Sequence, residues 1–405
     1  MAQLALIAAR RWAQTPHAAR IAIVYLAARL VTTVMLIVAA SQSTSLSRFG
    51  AQPGIGDFVL GWDAQWYWSV AEYGYPTTLP LTDSGEVAEN AWAFMPVLAY
   101  AAKVVGLPFG SWGFGAFLIS LVCGYFACLA LHRLLRERIG AGASTWAVVF
   151  FAAGPVAAMF QVGYAETLFL LLLFLALEAA ARRRYARLYL LIPLMAFTRP
   201  GVLAFALYLG LHGILRWLGR RNEPLPARHI VHIVAAGALA TACGFAWQVI
   251  AGLATGDPGA YLSTELAWRR HWISGGDDGF VPFDGWVQAS RFWFGQWGMP
   301  PSWGPIALAL LVIAAGAVLL YSRHVRALGA DIRLWGASYL LYLLAVFFPQ
   351  SSTFRLLLPL SPLWGAVAVP RSRLWRIGVL AACLVGQWAW IFFVYALGNT
   401  YWQVP

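Results

Sequence analysis

The segment from Gly61 to Tyr75 holds a carboxylate among several aromatic side chains, directly after the first long apolar run. In a helix, Asp63, Trp66 and Tyr67 share one face. A carboxylate at the mouth of a bilayer is costly to desolvate unless it has a partner or a function. The spacing indicates a general base beside rings that pack against a sugar. The alternative is an aromatic belt at the membrane interface whose acid caps a short helix.

A second acid, Glu166, opens an apolar run directly after a short turn at 161–165 that contains Tyr164. An acid at a helix N-terminus is stabilised by the helix dipole, and this effect alone would explain the position of Glu166. The other interpretation is a carboxylate that binds a ligand or orients a catalytic group.

Two arginines lie apart from the basic clusters. Arg199 stands at a Pro-Gly helix break, and Arg355 begins a late apolar run. Because Arg binds phosphate through a bidentate fork, a phosphate would explain cations in these positions. Each arginine is equally able to pair with a carboxylate such as Glu166 when no ligand is bound. Arg29, inside the first apolar run, either snorkels or pairs within the bundle.

A late loop interleaves basic and aromatic residues at positions 268–272, which include Arg269, Arg270 and His271. This pattern suits a substrate with sugar and phosphate parts, and it equally suits a loop that lies on lipid headgroups. The pair Asp277 and Asp278 stands between glycines, which is more typical of a turn than of a metal site, so we predict no metal.

The composition sets the class of protein, since 61% of the 405 residues are hydrophobic and only 11% are charged. Soluble domains carry about 25% charged residues. We therefore predict one all-α polytopic membrane domain over 1–405, in a bacterial plasma membrane. A span needs roughly 20 apolar residues. The predicted spans are about 20–40, 112–132, 144–161, 164–181, 187–198, 201–216, 229–252, 304–321, 334–349, 355–369 and 374–397.

Arginine clusters fix the predicted orientation. With eleven crossings and the N-terminus inside, every cluster lies on the cytoplasmic side, provided that the apolar stretch 91–106 does not cross. Two long loops, 41–90 and 253–303, then lie outside together with most of the acids. Loops of this length are usually functional or disordered, and their aromatic content argues against disorder.

Several functions are excluded or disfavoured. The chain has no phosphate-binding glycine loop, dinucleotide fingerprint, zinc motif or nucleophile elbow. The net charge of +12 comes mostly from arginines that serve as topology signals, so nucleic acid is not an expected partner. The four cysteines lie in apolar runs without metal-ligand spacing.

Blocks of sequence in a fixed order resemble the PIG-V-type mannosyltransferases, a family of the GT-C glycosyltransferase superfamily. The blocks are Trp62-Asp63 with 71–75 (which includes Glu72), 93–96, 154–155 with 164–169, 198–201 and 354–359. The chain departs from the family pattern at Met95, Ala165 and Gly201, and the loop 253–303 has no counterpart.

The resemblance implies a GT-C bundle and a polyprenyl-phosphate-mannose donor, with a glycan or glycolipid acceptor on the extracytoplasmic face. It implies that Asp63 is the catalytic base of an inverting transfer that needs no metal or cofactor. Membrane lipids are further expected partners. Two alternatives remain, namely a flippase or transporter of lipid-linked sugars and a GT-C transferase of another pentose or hexose.

The expected roles divide into two groups. The candidate donor-phosphate ligands are Arg199, Arg355, Arg269 and Arg270. The candidate substrate-binding residues are Trp62, Trp66, Tyr67, Glu72, Tyr164, Glu166 and His271.

Overall fold

The computed structural model of the protein describes residues 14–270 and 279–398, which form seventeen α-helices and, within those ranges, no β-strand. The helices are α1 (His17–Gln42), α2 (Ile55–Val59), α3 (Asp63–Tyr73), α4 (Pro96–Gly106), α5 (Trp112–Ala152), α6 (Glu166–Ala181), α7 (Leu188–Ala196), α8 (Val202–Leu218), α9 (Ala227–Thr255), α10 (Ala260–Arg270), α11 (Asp284–Gln296), α12 (Trp303–Tyr321), α13 (Arg323–Arg326), α14 (Ala330–Val346), α15 (Thr353–Leu356), α16 (Trp364–Ala368) and α17 (Arg373–Ile391). Short 3-10 turns and a terminal π-helical turn, Phe392–Ala396, connect or extend them.

The chain is an all-α polytopic membrane protein. Five of the described helical segments are long and apolar enough to cross a bilayer, namely α1, α5, α9, α12 and α17 with its π-helical extension. The apolar helices α6, α8 and α14 have only 16 or 17 residues, which is at the lower limit of a full crossing. The count of eleven crossings therefore remains a prediction.

Two predicted spans, 112–132 and 144–161, lie on either side of a break in the helical backbone. Helix α5 runs for 41 residues and is kinked at Gly140, whose φ of 79° interrupts the helical backbone. The stretch 91–106, expected not to cross, contains the 11-residue helix α4. At 1.5 Å per residue α4 is about 16 Å long, roughly half of the hydrocarbon thickness.

The buried core surrounds the junction between α5 and α6. Phe151 packs edge-on against Phe160 at 5.0 Å and against Phe174 at 5.7 Å between ring centroids. Arg29 of α1 enters this core, where its Nη1 donates to the carbonyl of Ala157 at 2.7 Å and its Nη2 donates to a second carbonyl, that of Ala152. The Ala152 carbonyl lies where α5 ends, and the Ala157 carbonyl lies in the 3-10 turn that follows, so the buried cation satisfies carbonyl groups of the chain that connects α5 to α6.

The candidate catalytic and phosphate-binding residues lie at one end of the helices. Asp63 and Glu166 are the first residues of α3 and α6, Arg199 lies in the link between α7 and α8, and Arg355 lies in α15. The opposite ends of α6 and α8 are followed by arginine-rich turns, where Arg182 and Arg183 pair with Glu137 and Glu223. The bundle thus separates an end that holds acids and two arginines from an end rich in arginine.

Candidate active site

Two carboxylates and two guanidinium groups meet in one cluster. Nη1 of Arg355 pairs with Oδ2 of Asp63, and Nε of the same arginine lies 3.4 Å from Oε1 of Glu166. Nη1 of Arg199 lies at the same distance, 3.4 Å, from that Glu166 oxygen. Glu166 is 2% exposed and Arg199 7% exposed, so their charges have little access to water. We call these four residues the charge cluster.

The charge cluster pairs its charges but not all of its hydrogen-bond donors. Nη1 of Arg199 and Nε of Arg355 are buried and make no hydrogen bond to any atom of the described residues. A buried donor without an acceptor costs about 1–3 kcal/mol or more, and most such donors in native proteins are satisfied. Two unsatisfied donors side by side are therefore a local departure from the rule, and an anion bound between them would satisfy both.

The backbone around Asp63 fixes the direction of its carboxylate. Trp62, just before it, adopts a φ of 55°, which turns the chain sharply into α3. The Asp63 N–H donates to the Tyr164 hydroxyl at 3.3 Å, and the Arg355 guanidinium lies over the Tyr164 ring at 5.1 Å. Tyr164 therefore supports both members of the ion pair.

The segment that carries Glu166 is held by close backbone packing. The Gly163 N–H donates to the carbonyl of Val59 at 3.0 Å, and a Cβ at position 163 would lie only 3.0 Å from that same oxygen. A side chain at 163 would separate the turn from α2. The glycine thus lets the turn at 161–165 approach the chain just before Asp63.

Arg199 is presented by a helix break. Helix α7 ends at Ala196, and α8 restarts after Gly201, whose φ of 134° is accessible to glycine and strained for other residues. Arg355 lies in the four-residue helix α15, and the Tyr339 hydroxyl of α14 donates to the carbonyl of Leu356 at 2.7 Å. Both arginines therefore project from interrupted helices.

An aromatic wall joins the two long loops beside the charge cluster. Trp66 of α3 stacks on Phe94 at 5.6 Å and meets the edge of Trp268 from α10 at 5.8 Å. Tyr67 is buried against Phe94 at 5.2 Å. Burial raises the pKa of Tyr67, and the nearby charges of Glu166 and Asp63 raise it further. Its hydroxyl therefore stays protonated and serves as a hydrogen-bond donor at the site.

Other residues singled out in the sequence lie elsewhere. The Trp62 indole N–H donates to the carbonyl of Val394 at 3.3 Å, and Arg48 covers its ring at 4.2 Å. Glu72, at the far end of α3, pairs with Lys103 at 3.4 Å. Trp62 thus anchors the C-terminal segment, and Glu72 joins α3 to α4.

The loop arginines contact the two loops themselves. Arg269 hydrogen-bonds Gln288 and lies 3.5 Å from Asp284 of α11, while Arg270 donates to the carbonyl of Val87 and lies 3.5 Å from Glu86. These contacts hold α10 against the loop 41–90 and α11. His271, Asp277 and Asp278 lie outside the described residues.

Sequence reasoning missed a third carboxyl group near Asp63. Glu265 lies on α10, one helical turn after Tyr261. Burial raises the pKa of Glu265 to about 7, the neighbouring Tyr261 hydroxyl opposes this rise, and the charge of Asp63 adds to it. The available signal was the spacing of Tyr261, Glu265 and Trp268, which places all three on one helical face.

Groups of three or more His, Cys, Asp or Glu side chains arranged to hold a metal ion do not occur among residues 14–270 and 279–398. Between Asp63 and Glu166, the guanidinium of Arg355 supplies the positive charge.

No family model matches the chain, and no curated protein matches it. Among solved structures, the chain is similar to the Archaeoglobus fulgidus oligosaccharyltransferase in the apo form, with 13% identity and a TM-score of 0.38 over 92% of this chain and 56% of that chain. The complex of that archaeal oligosaccharyltransferase, AglB, with an inhibitory peptide and a dolichol-phosphate has the same values. Its complex with Zn and sulfate gives 14% identity and a TM-score of 0.32, over 92% and 53%. The chain thus spans about half the length of these proteins.

Proposed function

We propose that this chain is an inverting GT-C-type mannosyltransferase that moves mannose from polyprenyl-phosphate-mannose to a glycan or lipid on the extracytoplasmic face. The observation that carries the proposal is the charge cluster, where a carboxylate suited to accept a proton adjoins two guanidinium groups with unsatisfied donors. The order of the motifs that resemble PIG-V-type enzymes supports the choice of sugar.

Asp63 acts as the general base. As the acceptor oxygen bonds to C1 of mannose, the bond from C1 to the phosphate oxygen breaks and its electron pair stays on the phosphate. The acceptor proton passes to the Asp63 carboxylate. Attack from the face opposite the phosphate converts a β-linked donor into an α-mannoside. A positioned general base contributes typically about 10²–10⁴-fold to the rate.

Arg199 and Arg355 bind the donor phosphate. Their free donors, Nη1 and Nε, are both within reach of the same Glu166 oxygen, so they converge on one region. The phosphate gains negative charge as the bond to C1 breaks, and fixed cations stabilise such charge best in a site with little water. Two carboxylates balance the two arginines before the donor binds, which makes the buried charges tolerable in the free enzyme.

The donor phosphate also changes the environment of the base. Arg355 pairs with Asp63 in the unliganded cluster, and a phosphate competes for the same guanidinium group. When Arg355 turns to the phosphate, the Asp63 carboxylate becomes free to accept the acceptor proton. Donor binding thus precedes and enables proton abstraction.

An apolar cavity of about 710 Å³ lies between α8 and α9 and suits the polyprenyl tail. Its lining begins at Leu203, four residues after Arg199, and continues along α8 to Trp217. Gly210 and Gly213 widen it, since neither carries a side chain. A tail in this groove would leave its phosphate beside Arg199.

The test is Asp63→Asn, assayed with purified protein and polyprenyl-phosphate-mannose against a panel of glycan, glycolipid and peptide acceptors. We expect transfer to fall at least about 100-fold, because the amide cannot take the proton, while the protein remains folded. Asp57→Asn, at an exposed carboxylate of the same loop, is the matched control and keeps its transfer rate.

Near-normal transfer by Asp63→Asn would remove Asp63 as the base. Translocation of the intact lipid-linked sugar, unaffected by Asp63→Asn, would instead identify a flippase, which needs no proton acceptor. Faster transfer from another polyprenyl-phosphate sugar would support the same reaction with a different sugar donor.

A further inference from the structure

Helix α10 is fixed against the first long loop and α3 by contacts at two points. The Asn90 side-chain amide donates to the Thr264 hydroxyl at 2.8 Å, and the ring of Trp268 packs edge-on against Trp66 of α3. Thr264 and Asn90 are both buried. The helix therefore has a defined position over α3, the helix that begins with Asp63.

One face of α10 carries three polar groups toward the site. Tyr261, Glu265 and Trp268 follow each other at the helical spacing of four and three residues. The Trp268 indole N–H is buried without a hydrogen-bond partner among the described residues. An ionised carboxylate offers about four acceptor positions, so Glu265 can accept hydrogen bonds from more than one hydroxyl group.

Glu265 differs from the other two site carboxylates because no arginine of the described ranges pairs with it. The titratable groups that face it are Tyr261 on its own helix, Asp63 on α3 and Tyr342 on α14, with Tyr67 next to Tyr261. A half-buried carboxyl without a cation, beside an unpaired indole donor, is suited to neutral polar groups such as sugar hydroxyls.

We propose that Glu265 is the positioning residue for the acceptor, and that its carboxylate accepts hydrogen bonds from hydroxyl groups next to the one that reacts. This proposal rests on the proposed function. The donor phosphate belongs to Arg199 and Arg355, whereas Glu265 lies on the loop side of Asp63. This role favours an acceptor with several neighbouring hydroxyl groups, such as a sugar or an inositol, over a protein side chain with a single hydroxyl.

The charge state of Glu265 gives the proposal a signature in the pH profile. Its pKa is raised to about 7, so the group is protonated below neutral pH and ionised above it. Because the ionised form binds the acceptor hydroxyls, kcat/KM for the acceptor rises as pH increases through about 7. The neighbouring Tyr261 hydroxyl lowers this pKa, so Tyr261→Phe moves the rise to higher pH.

The experiment compares the wild type with Glu265→Gln, Glu265→Ala and Tyr261→Phe. Each protein is given polyprenyl-phosphate-mannose, with octyl α-mannoside, a phosphatidylinositol or a serine peptide as acceptor, and water as the competing acceptor. For Glu265→Ala we expect acceptor KM to rise by about 10–100-fold and the ratio of transfer to hydrolysis to fall correspondingly. Donor affinity, measured by direct binding of polyprenyl phosphate, stays at its wild-type value.

Glu265→Gln keeps an amide oxygen as acceptor but cannot titrate, so it loses the rise near pH 7. Asp83→Asn, at an exposed carboxylate of the first loop, is the matched control and retains the rise. An unchanged acceptor KM in Glu265→Ala, an equal loss of donor affinity, or a serine peptide as the best acceptor overturns the proposal. Absence of both transfer and hydrolysis in the wild type instead overturns the proposed function.

Discussion

The two ends of the bundle each bury a polar network, and the networks differ in one respect. At the arginine-rich end, Nδ1–H of His212 donates to Asp331 at 2.7 Å, the Tyr208 hydroxyl donates to the same carboxylate at 3.1 Å, and the Tyr185 hydroxyl donates to Nε2 of His212 at 3.0 Å. Every buried side-chain nitrogen and oxygen of these four residues has a partner. In the charge cluster at the other end, two guanidinium nitrogens lie 3.4 Å from Glu166 but make no hydrogen bond to any described residue.

This difference distinguishes a structural network from a ligand-binding site. A fully satisfied network gains stability from each bond and has nothing left to offer a ligand. The charge cluster instead holds two donors in a state that costs stability until an anion binds. A histidine beside an aspartate is the more familiar catalytic pairing, but here the His212 and Asp331 pair is fully hydrogen-bonded within the protein.

The largest expected effect comes from Arg355→Ala. Loss of this guanidinium removes phosphate stabilisation and leaves Asp63 and Glu166 without their shared cation, so we expect kcat to fall by about 10²–10³-fold. Arg355→Lys keeps the charge but loses the planar fork, so we expect its rate to lie between those of the wild type and Arg355→Ala. Steady-state transfer kinetics measure both. If the transfer rate of Arg355→Ala lay within a few-fold of the wild-type rate, the charge cluster would be no more important for transfer than the network around Asp331.

A smaller effect, and of the opposite kind, is expected for Asp331→Asn. The amide weakens two charge-assisted hydrogen bonds, so the free energy of unfolding falls by about 1.5–3 kcal/mol. Thermal denaturation in detergent measures this, with transfer determined per folded molecule. We expect transfer to change by no more than about twofold, as for a structural site. A large loss of transfer with unchanged stability would show that this end also takes part in the chemistry.

The smallest effect is expected for Gly210→Leu in the apolar cavity. A Cβ at Gly210 has open space around it, so the leucine fills the groove without disturbing α8. We expect affinity for a long-chain polyprenyl donor to fall a few-fold and affinity for a short-chain donor to be unchanged. The matched control is Gly316→Leu in α12, where the added side chain also meets open space. If Gly210→Leu bound the long-chain and short-chain donors with equal affinity, the polyprenyl tail would not bind in this groove.

Local sequence predicted the separate parts of the charge cluster. Asp63, Glu166, Arg199 and Arg355 each stand at a helix start or break, and those positions are legible from glycine, proline and the apolar runs. The sequence left open whether the two arginines pair with Glu166, and in the structure both do. A single residue at a helix end can be recognised locally, although its partner cannot.

Glu265 could not be found in this way, because its environment comes from the packing of α10 on α3, nearly 200 residues earlier in the chain. The same limit applies to Arg269 and Arg270, whose basic character indicated phosphate although their partners are other loop residues. For the fold, the apolar runs predicted an all-α membrane bundle. They also separated the spans 112–132 and 144–161, which lie on either side of the non-helical backbone at Gly140.

The most direct test of the account is a structure of the protein with polyprenyl phosphate bound, determined by cryo-electron microscopy. We expect phosphate oxygens within about 3.2 Å of Nη1 of Arg199 and Nε of Arg355, with the Asp63 carboxylate released from Arg355. A phosphate held by Arg269 or Arg270, with Arg355 still bridging Asp63 and Glu166, would contradict the proposal that Arg199 and Arg355 bind the donor phosphate.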